Sequence, residues 1–121
     1  MTMQLDLDSA VREGEDARLR IAIASLGSPA AFALLAGVHR SQPTRWLNHQ
    51  GRPSAATQRL VDDVALVATK FVRVWPAEIF QDWLDGSNSF LAGASPKECL
   101  RAGRASDVLA ALEGELAGVY A

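Results

Sequence analysis

Between Ala17 and Val61 the chain carries six arginines (18, 20, 40, 45, 52 and 59) and two histidines (39 and 49), without one Asp or Glu. In a protein of net charge −2 that is a polarised distribution. It suits binding to an anion, most simply a nucleic-acid backbone. Other chemistry is missing. No Gly-rich phosphate loop, no His-x-x-x-His pair and no Cys/His cluster occurs, and Cys99 stands alone. Neither a metal nor a cofactor is expected. Nothing arranges a nucleophile beside a base, so the chain reads as a binding protein rather than an enzyme. The adjacent Asp62 and Asp63 cannot both face one site, and the more exposed is expected to cap the polar side of its helix or to pair with Arg59 or Lys70.

With 121 residues, 49% of them hydrophobic and 21% charged, the sequence can bury one core in one compact domain or two very small units. A lone cysteine excludes an internal disulfide and fits a reducing compartment. No apolar run has the length of a membrane span, and the acidic start MTMQLDLDSA is unlike a signal peptide. These features fit a soluble cytoplasmic protein without a membrane partner. The sequence pI near 5.6 argues against avid, sequence-blind nucleic-acid binding, so contact with DNA should be local and helped by dimerisation.

The apolar periodicity is helical throughout, with no strand-like alternation and no repeat, which predicts an all-α fold. Residues 1–16 carry five acids and little periodicity and read as a flexible arm. Leu19, Ala22, Ile23 and Leu26 then mark a helix ended by Gly27. Ser28-Pro29 starts a short helix through Phe32, Leu34 and Leu35, and Gly37 can take the turn that ends it. Ser41 is placed to cap a third helix holding Trp46 and Leu47, where Trp46 reads as core rather than a base-stacking residue. His49-Gln50-Gly51-Arg52-Pro53 is a break.

From Ser54 a long helix is predicted to about Trp75, stopped by Pro76. Its apolar residues form two neighbouring stripes, Leu60-Val64-Val67-Phe71 and Val61-Ala65-Ala68-Val72. Such a helix is buried on more than one side, either as a central spine or at a subunit interface. A further helix should turn Ile79, Phe80, Trp83 and Leu84 inward and end at Asp85-Gly86. Ser95-Pro96-Lys97-Glu98 is a capping box. The last helix carries Val108, Leu109, Leu112 and Leu116 and is weakened by Gly114 and Gly118.

The small Ala33, then Gly37 and Val38, resemble the helix-turn-helix of Xre/Cro-type repressors, in which residues at the start of the second helix face the major groove. The resemblance gives this role to His39, Arg40, Ser41, Thr44, Arg45 and Asn48, with Arg40 and Arg52 suited to phosphates. Arg45 is the candidate for a bidentate guanine contact. Pro43 departs from the pattern, standing where such repressors carry a small aliphatic core residue. Three-helix units of this spacing also serve as plain packing modules.

Trp83-Leu84, Asn88, Leu91-x-Gly93-x-x-Pro96, a short helix to Gly103 and an ending Leu116-Ala-Gly118-Val-Tyr120 together resemble the toxin-binding domain of the Xre/MbcA/ParS antitoxin family. The resemblance covers about residues 54–121, after an Xre-like unit over 17–53. It implies an antitoxin of a type II toxin–antitoxin pair that neutralises a RES-domain, NAD-consuming toxin by covering its cleft and represses its own operon through operator DNA. It also implies a homodimer, for which Leu60, Val64, Val67 and Phe71 are the expected interface, and a higher-order complex with the toxin. Carried over, the tail Gly118, Val119, Tyr120 and Ala121 would approach the toxin cleft, with Leu112, Glu115 and Leu116 lining the adjoining interface. The alternative is a stand-alone dimeric helix-turn-helix regulator whose C-terminal half only dimerises. A further one is an interaction module that has lost DNA binding.

Overall fold

The computed structural model describes residues 6–119, and among these every regular element is helical. Asp6 caps α1 (Leu7–Leu26) by accepting from the backbone of Asp8 at 3.1 Å. The helix therefore begins inside the stretch expected to be a loose arm. Its first turns lack periodicity because they lie on the surface, and the buried face starts at Leu19. Gly27, at φ 95°, ends α1 with its N–H bonded back to Ile23 and Ala24.

Ser28 caps α2 (Pro29–Ala36) through a 3.1 Å bond from the backbone of Ala31, with Pro29 in the first turn. Gly37 ends it at φ 69°. A short α3 (Gln42–Leu47) follows, and both Pro43 and Trp46 are buried beneath it. Ser41 does not cap this helix: its backbone is already helical and its hydroxyl pairs with His39 Nδ1 at 2.8 Å. Asn48 closes α3, and His49 (φ 59°) and Gly51 (φ 86°) carry the chain through left-handed conformations to α4.

Ser54 caps α4 (Ala55–Phe71). The helix stops at Phe71, short of the expected Trp75. Pro76 disfavours helical backbone at Trp75, and the β-branched Val72 and Val74 weaken the last turn. One further turn follows, closed by the Trp75 N–H donating to the Phe71 carbonyl at 3.0 Å, and the Trp75 ring lies 5.2 Å from the Phe71 ring. A 3₁₀ turn (Ala77–Ile79) leads into α5 (Phe80–Asp85) and leaves Ile79 exposed rather than inward. A second 3₁₀ turn (Ser89–Leu91) precedes α6 (Pro96–Arg101), capped by Ser95 through the Glu98 N–H at 3.1 Å. Gly103, at φ 77°, reverses the chain into α7 (Ala105–Val119).

One cluster of buried side chains runs through the molecule, from Leu19 and Ile23 of α1 through Phe32, Trp46, Val64 and Phe71 to Leu100, Val108 and Leu112. It crosses the boundary expected at residue 54. The helix α4 is its axis and packs against α1 on one side and α6 and α7 on the other. Phe71 sits at the centre of an aromatic group, with ring centroids 4.9 Å from Phe80 and 5.4 Å from Trp83. The expected dimer stripe is thereby corrected: Val64 and Val67 are 0% exposed and Phe71 1%, and Leu60 is partly covered by the same core. Of the two roles open for this helix, central spine is the one these side chains fill. No single helix among the described residues is long and apolar enough to cross a membrane.

Candidate functional site

The residues assigned to DNA share one accessible segment. His39, Arg40 and Ser41 lie in the turn before α3, Thr44 and Arg45 on α3, and Asn48 and Arg52 beyond it, and all seven are exposed. Pro43 and Trp46 point the opposite way, into the core, and so fix which face of α3 is outward. Pro43 is buried, and the helix tolerates it because it stands in the first turn. The His39–Ser41 bond, supported by the Ser41 N–H donating to the same ring nitrogen at 3.1 Å, orders the turn that leads into Thr44 and Arg45.

The basic window is acid-free along the sequence but not in space. A cleft of about 620 Å³ opens between the first half of α1 and the 49–53 turn, with Arg12, Glu15 and Asp16 on one wall and His49 and Arg52 on the other. His49 Nδ1 lies 4.0 Å from an Asp16 carboxylate oxygen. A second acid is also matched from outside its own helix. Asp62 pairs with Arg18 at 2.8 Å and accepts from Gln58 at 2.9 Å, not with Arg59 or Lys70. Its neighbour Asp63 lies in a shallower hollow beside Leu60, Leu100 and Arg101. Burial there, and then the nearby Asp62 charge, push the Asp63 carboxyl above its ordinary range, against the pull of Arg59.

At the other end of the molecule the contacts expected for a protein partner need correcting. Leu112 is 1% exposed and belongs to the core, because α7 turns that face onto α4 and α6. Leu116 packs partly against the same core. Glu115 is engaged within the chain: Trp83 Nε1 donates to one carboxylate oxygen at 2.7 Å and Asn88 Nδ2 to the other at 2.9 Å. Gly118 is exposed on α7, which extends through Val119. Tyr120 and Ala121 lie outside the described residues.

Sequence reasoning missed Phe90, which is 56% exposed in the loop between α5 and α6. Its ring rests on α7 where Gly114 has no side chain; a Cβ there would stand 2.6 Å from the ring edge. Gly114 is therefore a seat for an aromatic ring rather than a simple weak point. The spacing of Phe90 and Gly114 carries no periodic signal, so only the folded loop brings the pair together. Among the described residues no group of three or more His, Cys, Asp or Glu is placed to hold a metal ion.

No protein-family model matches the chain, and no curated protein matches it by sequence. Among solved structures, the fold is similar to that of a chain in the crystal structure of the M. tuberculosis MbcT–MbcA toxin–antitoxin complex. The two share 22% identity with a TM-score of 0.73 over 88% of this chain and 96% of that one. At that identity and coverage, the chain has the fold of a component of a toxin–antitoxin complex across nearly its whole length.

Proposed function

We propose that this protein is the antitoxin of a type II toxin–antitoxin pair, and that its partner is a RES-domain, NAD-consuming toxin. The observation that carries the reading is the near-complete overlay on a chain of a toxin–antitoxin complex, in a protein whose order of motifs resembles that of an antitoxin family. Inhibition is steric. The end of α7 and the segment after it cover the toxin's cleft, and this chain does no chemistry. Because Leu112 is buried and Glu115 is held by Trp83 and Asn88, the contact falls on Gly118, Val119, Tyr120 and Ala121, with Leu116 at its margin. Tyrosine is enriched in the residues that dominate interface energy, which suits Tyr120 to an anchor.

The same protein represses its own operon through α2 and α3 acting as a helix-turn-helix, with Arg45 reading guanine and Arg40 and Arg52 on phosphates. The exposure of all seven assigned residues, over a buried Pro43 and Trp46, supports this. It acts as a homodimer, as repressors that read two half-sites do, through a surface other than the buried α4 stripe.

The deciding experiment is a pull-down from the native host with the tag at the N-terminus, comparing the full chain with one ending at Gly118. A stoichiometric RES-type partner held only by the full chain establishes the antitoxin and its inhibitory tail. Absence of a protein partner with either bait replaces this reading by a stand-alone DNA-binding regulator.

A further inference from the structure

We propose that the carboxylates of Glu15 and Asp16 are a built-in electrostatic brake on DNA binding, occupying the place in the α1/49–53 cleft where a phosphate would otherwise be drawn. The inference rests on the DNA-binding reading of α2 and α3 and adds a regulatory element to it. Arg52, assigned to a phosphate, and its neighbour His49 lie just beyond α3 at the edge of that surface. Folding brings the acidic half of α1 against this edge, with Glu15 and Asp16 lining the same cleft as Arg12, His49 and Arg52. Asp16 reaches within 4.0 Å of His49.

The stretch of α1 that carries these acids is anchored. One turn further along α1, Arg18 is tied to Asp62 of α4 at 2.8 Å, and Leu19 enters the core while also flooring the cleft. The helix therefore cannot rotate its carboxylates away from Arg52 without breaking an ion pair and withdrawing a buried leucine. Two negative charges in one cleft with two guanidinium groups offset the field that would attract a phosphate. The brake acts on the backbone contact, so it weakens binding to all sequences alike and leaves base reading by Arg45 untouched.

The test uses the full chain with Glu15→Gln and Asp16→Asn together, and labelled duplexes: one from directly upstream of the gene, one scrambled. A control carries Asp8→Asn and Glu13→Gln, the same change of net charge at exposed positions outside the cleft. The cleft variant should bind both duplexes about 3–30-fold tighter near 0.1 M salt, with a steeper salt dependence by about one to two ions. The control should move far less. Equal gains from both variants, or no gain in the cleft variant while wild type binds and Arg45→Ala weakens that binding, overturn the brake. If no variant binds either duplex at low salt, the DNA-binding reading itself fails and the brake with it. Matching thermal melts establish that the comparison is between folded proteins; if the double variant melts early, Asp16→Asn alone repeats it with a smaller gain expected.

Discussion

Trp83 and Glu115, 32 residues apart in sequence, are joined by an indole N–H donating to a carboxylate oxygen at 2.7 Å. The second oxygen accepts from Asn88 at 2.9 Å, so one half-buried carboxylate ties α5, the following loop and α7 together. Asn88 is itself almost fully buried and organises the loop, accepting from the backbone of Phe90 at 2.9 Å through its side chain. The bond between Trp83 and Glu115 is therefore structural, and it explains why the loop holds an exposed phenylalanine in a fixed place.

Replacing Glu115 by Gln keeps the shape but turns an acceptor into an NH₂ group facing a donor. We expect a loss of about 1–3 kcal/mol in urea unfolding, since an unsatisfied, partly buried donor remains. The tryptophan fluorescence of the native state should shift at the same time. Unchanged stability would mean that water replaces the carboxylate at no cost.

Val67 is fully buried within a single chain, so Val67→Ala should cost about 1–3 kcal/mol from lost burial and the cavity left behind. The destabilisation should be the same at high and low protein concentration. If it vanished on dilution, the stripe would belong to a subunit interface after all.

For Asp63 the sign follows from its raised pKa. An acid that holds its proton more tightly when folded destabilises the native state once it ionises, so its penalty is present at neutral pH. The penalty fades as pH falls through the native pKa and is absent below the ordinary value of 3.8. Asp63→Asn should raise the melting temperature at pH 7 by about 1–3 °C. A thermal series from pH 7 to pH 3.5 should show the gain shrinking towards zero, and a gain that grew on acidification would contradict the assignment.

On DNA, Arg45→Ala should cost about 1–3 kcal/mol on the upstream duplex and much less on a scrambled one, if the side chain reads guanine. Arg40→Ala should weaken both equally and reduce the salt slope by about one. Equal losses for Arg45 on both duplexes would make it a phosphate contact.

Most of the helical boundaries were legible because their caps are local chemistry. Ser28, Ser54 and Ser95 each accept a backbone N–H at the start of a helix, and Gly27, Gly37 and Gly103 take the left-handed turns that follow one. Two boundaries were not legible. Asp6 starts α1 ahead of any buried residue, so apolar periodicity has nothing to register there. The end of α4 falls four residues before Trp75, because Pro76 disfavours helical backbone at Trp75 and Val72 and Val74 weaken the turn before it, and the apolar pattern runs on past that point. The exposure of the residues proposed to meet DNA could be anticipated from the turn at Gly37 and the buried Trp46. The partner of His49 could not, since Asp16 approaches from another helix. Likewise Leu112 looked available as part of an amphipathic stripe, but amphipathicity says that a face is buried and not by which molecule.

The continuous core from Leu19 to Leu112 has a consequence for engineering. The N-terminal three helices are not a cassette: cutting the chain at residue 54 would strip them of α4, against which α1 lies, and would leave α4 with a bare apolar flank. Grafting them onto another scaffold would require carrying the whole spine. By the same connection, a ligand that grips either end of the folded chain makes global unfolding rarer, by RT ln(1 + [L]/Kd), and so protects the opposite end from proteases that need an opened backbone.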